Sequence, residues 1–252
     1  MTGRVRPAHW RIYAGSLAFR VLASSRERLG DRPAIVLVHG IGVSHRYFSR
    51  LHDLLARDRA VYSIDLPGFG GLPKPGQDVD VPAMADGLVS VIESLGAGPV
   101  VLVGHSMGSQ WVVEVAVQRP DLVTDTVIMG PVTDADHRSI AAQTAALAID
   151  TLGETPLINA IVFSDYIRCG IPWYLTQLRH MLTYPIEERV SLLSSPLLVI
   201  RGSRDPVAGV DWCRSLRDRA PSGELVLIPG QNHVVQHSAP RAVASAITAH
   251  VH

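Results

Sequence analysis

The sequence has 252 residues, of which 47% are hydrophobic and 18% charged, with 23 basic and 23 acidic side chains. This composition is typical of a globular protein with one large core, and the balanced charge gives no support for a nucleic-acid or anionic-membrane partner. The basic N-terminus leads into no apolar stretch, no run approaches the ~18 apolar residues of a membrane span, and two cysteines suit neither a disulfide framework nor a metal site.

Eight short apolar segments predict β-strands. In chain order they cover residues 10–14, 17–23, 34–38, 60–64, 100–103, 126–129, 197–200 and 224–228. The first two flank a Gly-Ser pair and predict an edge hairpin, whereas the continuous apolar run 34–38 is typical of a strand buried on both faces. From the third strand onward, strands alternate with helical patterns, which predicts an α/β fold with a mostly parallel eight-stranded sheet and helices on both faces.

Helical patterns fill the connections between these strands. A helix capped by Ser44 and ending near Leu55 is followed by patterns at 81–95, 107–118, 211–220 and at the C-terminus. Residues 133–193 break the alternation, because they contain only further helical patterns, at 140–152, 157–167, 173–181 and 186–193.

The helical segment predicts a lid inserted after strand 6. We therefore expect a core domain formed by residues 1–132 and 194–252, and a helical cap formed by residues 133–193. A short insertion between two strand ends lies at the carboxyl edge of the sheet, which is where ligands bind in open α/β sheets.

One serine stands where a buried strand turns directly into a helix. Residues 104–108 read Gly-His-Ser-Met-Gly, immediately after the apolar run 100–103. In such a sharp turn the serine is strained and its oxygen is exposed at the sheet edge, and the flanking glycines let strand and helix approach closely. This context predicts that Ser106 is a nucleophile rather than part of an ordinary glycine-serine turn.

A serine nucleophile needs a base and a group that orients the base. Asp205 and His233 follow the last two predicted strands, so their loops should meet Ser106 at one edge of the sheet. We predict that His233 is the base and Asp205 its orienting acid. The alternative acids are Asp134 and Asp136, after the strand ending at 129, and the alternative base is His237.

The oxyanion of such a reaction needs backbone N–H donors. The amide of Met107, directly after the nucleophile, should give one, and the amide of Ile41, in the loop after the strand 34–38, should give the other. His39 and His105 are predicted to pack beside the glycines of these loops. The acidic residues predicted to face solvent are Asp58, Glu93, Glu114, Glu187 and Glu188.

Taken together, these motifs resemble the α/β-hydrolase fold serine hydrolases of the capped esterase, C–C hydrolase and perhydrolase-like type. The matching segments are 39–42, 65–70, 104–108, 201–205 and 230–233. The resemblance implies a helical lid and makes residues 65–70 a structural turn near the pocket. The serine at 106 replaces the aspartate nucleophile of dehalogenase and epoxide hydrolase relatives, which excludes both activities because a serine cannot supply their alkyl-ester carboxylate.

The leading functional prediction is hydrolysis of a small, fairly apolar carboxylic ester or lactone through an acyl-serine intermediate. The candidate pocket residues are Gly42, Tyr166, Trp173, Tyr174, Val207 and Val234. The same residues could serve a C–C bond hydrolase, an acyltransferase or a non-hydrolytic biosynthetic enzyme, and a non-catalytic ligand-binding protein is a further alternative. We expect a small-molecule substrate, no cofactor, no metal and a cytoplasmic location, with the oligomeric state left open.

Overall fold

The computed structural model describes residues 8–24, 32–132 and 156–251. Eight strands form one sheet in the order β1-β2-β4-β3-β5-β6-β7-β8. The strands are β1 Ala8–Ala14, β2 Leu17–Ala23, β3 Ala34–Val38, β4 Val61–Asp65, β5 Val100–His105, β6 Val123–Met129, β7 Leu197–Gly202 and β8 Gly223–Ile228. The hairpin β1–β2 is antiparallel and β2 pairs antiparallel with β4, whereas β4, β3 and β5 to β8 pair in parallel. The predicted mostly parallel sheet is therefore confirmed.

Helices cover both faces of the sheet. They are α1 Ser49–Leu55, α2 Val81–Leu95, α3 Gly108–Gln118, α4 Pro156–Cys169, α5 Ile171–Thr183, α6 Ile186–Arg189, α7 Val210–Arg219, α8 Val235–Ser238 and α9 Pro240–His250. Side chains alternate along the central strands, as a sheet buried on both sides requires. Val36 and Leu102 pack with α2 and α3 on one face, whereas Ile35 and Val101 pack with α1 and α9 on the other.

The helix predicted from Ser44 to Leu55 is divided in two. Residues His45–Phe48 form a 3₁₀ helix, and α1 begins only at Ser49. The backbone N–H of His45 donates to Asp65 Oδ1 at 2.7 Å, which ties the first turn to the end of β4. Such tight 3₁₀ turns are common where a helix begins.

The described part of the predicted lid lies between β6 and β7. It contains α4, α5, α6 and a short 3₁₀ helix, Val190–Leu192. The predicted helix 140–152 lies outside the described residues, and the division of the chain into a core and a cap domain stays a prediction. Because β3 and β5 to β8 are parallel, their following loops share one edge of the sheet, and these loops contain Ile41, Ser106, Asp205 and His233.

The turn between β5 and α3 has no room for side chains at its glycines. A Cβ on Gly104 would overlap the backbone carbonyl of Gly108, and a Cβ on Gly108 would overlap the carbonyl of Val38. The end of β3, the end of β5 and the first turn of α3 are therefore in direct backbone contact, as the glycine spacing predicts.

This crowding gives the first testable prediction. Gly104→Ala should lower the free energy of unfolding by about 1–3 kcal/mol or more, because the new methyl group overlaps backbone atoms that cannot rotate away. Gly76→Ala is the matched control, since a Cβ at that exposed position meets nothing within 4 Å. Urea denaturation of both variants measures the difference, and equal stability of the two would contradict this description of the turn.

Candidate active site

Ser106 occupies the strained turn that its sequence context predicts. Its φ angle is 57°, and among the described residues it is the only non-glycine residue with a positive φ. Its backbone N–H donates to the carbonyl of Met129 at 2.9 Å, which ties the turn to the end of β6. A non-glycine residue in this conformation costs about 1–3 kcal/mol and persists only where its surroundings fix it.

Asp205 and His233 are hydrogen-bonded to each other. His233 Nδ1 lies 3.0 Å from Asp205 Oδ2, and both side chains are buried. Since the carboxylate accepts, Nδ1 carries the proton of the neutral ring and Nε2 keeps its lone pair. The second oxygen, Asp205 Oδ1, accepts the backbone N–H groups of Val207 at 2.8 Å and Ala208 at 3.0 Å.

These bonds keep Asp205 ionised. Burial alone would raise the pKa of this carboxyl group. The charge and hydrogen bond of His233, together with the two backbone N–H groups, outweigh burial and hold the pKa of Asp205 below its ordinary value. A charged, immobile carboxylate can orient the His233 ring and stabilise its cation.

The end of β6 packs directly against this pair. A Cβ on Gly130 would lie 2.9 Å from His233 Cε1 and Nδ1, and 3.1 Å from Asp205 Oδ2. The His233 ring also lies 4.7 Å, centroid to centroid, from the ring of His105, the residue before Ser106. The ends of β5 and β6 and the loops after β7 and β8 therefore meet at one place.

The amides next to the predicted oxyanion donors are already engaged. The N–H of Gly40 donates to the hydroxyl of Tyr47 at 2.8 Å, and that of Ser106 donates to Met129. A Cβ on Gly40 would lie 2.9 Å from Ser106 Cβ, so this loop passes beside the serine. Ile41 follows Gly40, and Met107 is the N-cap of α3, where N–H groups have no intrahelical partner. Their role as donors stays a prediction.

The other acids differ in position. Asp65 is fully buried at the end of β4 and contacts Arg20 and His45, each at 2.8 Å, in agreement with a structural role for the turn 65–70. The alternative acids Asp134 and Asp136 lie outside the described residues. His237, the alternative base, is buried in α8.

Three predicted pocket residues of the lid lie against core loops. The Tyr166 ring packs on Gly42 and contacts the Tyr174 ring edge-on at 5.5 Å, while the Trp173 ring packs on Gly68. Val207 and Val234 are buried in the loops that follow β7 and β8. The lid therefore presents aromatic rings to the loops that contain Ile41 and Phe69.

The burial of two carboxylates, Glu114 and Asp165, was not predicted from the sequence. Glu114 was predicted to face solvent, which is wrong: it is only 4% exposed and accepts from Tyr184 Oη at 2.7 Å and from Arg189 Nε at 2.9 Å. Asp165 of α4 is fully buried and accepts from Ser44 Oγ at 2.5 Å and Arg46 Nη1 at 2.9 Å. Both carboxylates fasten the lid to the core.

The sequence around Glu114 carries one signal, and that signal is ambiguous. It stands midway between Gln110 and Gln118, so three polar side chains at intervals of four form one stripe along α3. A solvent-facing helix stripe and a stripe that meets a lid have the same sequence pattern. Only the position of the lid distinguishes them.

Further features bear on metals, thiols and membranes. Among the described residues, no group of three or more His, Cys, Asp or Glu side chains could hold a metal ion. The side chains of Cys169 and Cys213 are buried, and burial raises the pKa of the Cys169 thiol to about 11. No helix in the described ranges is long and apolar enough to span a bilayer.

Buried neutral histidines make stability depend on pH. Burial lowers the pKa of His39, of His52 to about 4 and of His105 to about 3. Below about pH 6.5 these histidines bind protons in the unfolded chain but remain neutral in the folded protein. Their contribution to stability is therefore complete above about pH 6.5 and falls as the pH drops toward the folded pKa values.

We accordingly expect the free energy of unfolding to decrease from pH 7 to pH 4. His52→Asn removes one of these titrating rings at a position away from Ser106, and should reduce that decrease by on the order of 3 kcal/mol at pH 4. Urea denaturation across this pH range measures both slopes. Parallel slopes for the variant and the wild type would show that His52 titrates normally in the folded protein.

Comparison with known proteins identifies the family and the fold. The sequence model of the alpha/beta hydrolase family matches residues 35–246. The (E)-2-((N-methylformamido)methylene)succinate hydrolase of Acinetobacter baylyi is 28% identical over 240 residues, covering 87% of this chain and 90% of the relative. The sn-1-specific diacylglycerol lipase ABHD11 of Mus musculus is 26% identical over 248 residues, covering 86% and 80% of the two chains.

Solved structures are similar over nearly the whole chain. The enol-lactonase from Burkholderia xenovorans LB400 superposes with a TM-score of 0.81 at 16% sequence identity, covering 95% of this chain and 98% of that chain. At this identity the likeness shows the fold alone. With the family match over most of the sequence, the conclusion is that this protein is an enzyme of the hydrolase type and belongs to the alpha/beta hydrolase family.

Proposed function

We propose that the protein is a serine hydrolase that cleaves a small, fairly apolar carboxylic ester or lactone through an acyl-serine intermediate. The observation that carries this proposal is the buried His233–Asp205 pair at the sheet edge that also holds Ser106 in its strained turn. A nucleophile, a base and an orienting acid are the three groups that acyl transfer to serine needs.

In the first step His233 Nε2 takes the proton of Ser106 Oγ as this oxygen bonds to the substrate carbonyl carbon. The carbonyl π electrons move to the oxygen, and the N–H groups of Ile41 and Met107 stabilise the resulting oxyanion. Asp205 stabilises the imidazolium that forms, and its lowered pKa keeps it charged at neutral pH.

Collapse of the tetrahedral intermediate breaks the bond to the leaving oxygen. The imidazolium of His233 gives its proton to this alkoxide, and the acyl group stays on Ser106. Water then attacks the acyl carbon with His233 as base, and a second collapse releases the acid and restores the serine. In a lactone, the leaving alcohol and the acid remain one molecule.

The aromatic side chains of the lid favour a substrate with an apolar acyl or alcohol group. Tyr166, Tyr174 and Trp173 cover the loops that contain Gly42 and Gly68, next to the proposed oxyanion donor Ile41. Pockets lined by aromatic rings and few polar groups favour apolar ligands. We expect this reaction to take place in the cytoplasm, where the buried thiols remain reduced.

The similarity to the Acinetobacter baylyi enzyme favours a second candidate, hydrolysis of an amidomethylene succinate. A dicarboxylate would need cationic groups near Ser106. Arg46, which contacts the lid helix α4, is paired with Asp165 at 2.9 Å, and this pairing makes its charge less available to a substrate carboxylate. C–C bond hydrolysis and acyl transfer use the same acyl-serine and are compared in the same assay.

The nucleophile is tested by covalent labelling. A fluorophosphonate probe should modify the wild-type protein at Ser106, whereas Ser106→Ala should not be labelled and should lose on the order of 10⁶ in turnover. The control is Ser109→Ala, which removes a neighbouring buried hydroxyl that bonds only weakly to Gly104 O, at 3.4 Å. A folded wild-type protein that does not react, or a Ser106→Ala variant that still hydrolyses esters, would end the proposal.

The acid and the substrate class are tested together. Asp205→Asn should lower kcat by about 10⁴, since the amide no longer fixes the productive tautomer of His233. A panel of p-nitrophenyl esters, lactones, vinylogous diketones and an amidomethylene succinate should show the highest kcat/KM for short apolar esters or lactones. A preference for the dicarboxylate would favour the second candidate instead.

A further inference from the structure

A chain of buried hydrogen bonds links three loops of the active site. The N–H of Gly40 lies 2.8 Å from Tyr47 Oη, Tyr47 Oη lies 3.0 Å from His105 Nδ1, and His105 Nε2 lies 3.0 Å from the carbonyl oxygen of His233. Tyr47, His105 and His233 are each at most 3% exposed. The chain starts one residue before Ile41, passes one residue before Ser106 and ends on His233.

Every bond in this chain has a fixed direction. The carbonyl of His233 can only accept, so His105 Nε2 carries a proton. Burial keeps the His105 ring neutral by lowering its pKa to about 3, so Nδ1 is an acceptor. Tyr47 must then donate its hydroxyl proton to His105 and accept the N–H of Gly40. With a neutral ring at His105, no other arrangement satisfies all three bonds.

We propose that Tyr47 and His105 are positioning residues of the hydrolytic reaction, which hold the backbones of the oxyanion loop and of the base loop in register with Ser106. This inference rests on the proposed serine hydrolase function and deepens it. Neither side chain exchanges a proton with the substrate in this scheme. Tyr47 acts on the backbone N–H of Gly40, and His105 acts on the backbone carbonyl of His233.

The arrangement explains why a histidine and a tyrosine stand here. The His105 ring lies 4.7 Å from the His233 ring and 5.3 Å from the Tyr47 ring, in tilted and edge-on contacts. A charged ring at 105 would oppose the cation that forms on His233 during the reaction, whereas a neutral ring with one donor and one acceptor does not. An apolar residue would leave the hydroxyl proton of Tyr47 without its acceptor. It would also remove one of the two donors to the His233 carbonyl, which accepts from the N–H of Val235 at 2.9 Å as well.

The first test separates positioning from folding. Tyr47→Phe should lower kcat about 10- to 100-fold with KM changed less than about threefold, because a small displacement of reacting groups slows chemistry more than binding. The rate of fluorophosphonate labelling should fall with kcat. Ser63→Ala is the matched control, since it removes a buried hydroxyl that bonds to Nδ1 of the neutral His52 at 2.7 Å, and it should keep wild-type kcat.

The second test is rescue at position 105. His105→Gln keeps one acceptor and one donor at similar reach, so it should retain more activity than His105→Leu, which has neither. Equal loss in both variants, wild-type kcat in Tyr47→Phe, or a loss in Ser63→Ala as large as in Tyr47→Phe would each overturn the inference.

A spectroscopic measurement decides the inference even where variants fold poorly. Nitrogen-15 NMR of the wild-type histidines should show His105 as the neutral Nε2–H tautomer at pH 7, and either the other tautomer or a cation would overturn the relay. If the wild-type protein neither reacts with the fluorophosphonate nor turns over any substrate in the panel, the proposed function fails. The NMR result still reports separately whether the hydrogen-bond chain is present.

Discussion

The close approach of three backbone segments at Ser106 is the constraint on which the rest of the structure depends. The end of β3, the end of β5 and the start of α3 touch so closely that Gly40, Gly104 and Gly108 have no space for a Cβ. The serine between them is held at φ 57° by its bond to Met129 and by this packing. The strain is maintained by the whole central sheet, so the position of Ser106 depends on packing in the core.

The lid is fastened to this same region by polar side chains rather than by apolar contact alone. Gln110 donates to the carbonyl of Met181 at 2.9 Å, Glu114 binds Tyr184 and Arg189, and Asp165 binds Ser44. Buried charges are costly unless each is fully hydrogen-bonded, so these bonds define one position for the lid. Two of these three residues, Gln110 and Glu114, belong to α3, the helix that follows Ser106. A shift of the lid is therefore opposed by the helix that directly follows the turn at Ser106.

Sequence patterns predicted the local structure and the features that strand order determines. The eight strands, the turn at Ser106 and the loops of Asp205 and His233 were foreseeable, because apolar runs, glycine spacing and the geometry of parallel sheets are readable from the chain. The partners of Tyr47 and Glu114 were not. Tyr47 lies in the segment predicted as a helix between Ser44 and Leu55, and nothing in that pattern indicates that its hydroxyl bonds to a ring 58 positions away. Such bonds join segments whose relative placement is decided by packing of the whole molecule.

The backbone angle at Ser106 limits which side chains can occupy this position. Threonine carries the same hydroxyl group, but its second substituent on Cβ makes a positive φ a genuine outlier for it. Cysteine and aspartate are unbranched at Cβ and can enter the turn without this penalty. Side-chain shape therefore restricts position 106 more than the need for a hydroxyl group does. A threonine could replace Ser106 only if the backbone of the turn also changed its conformation.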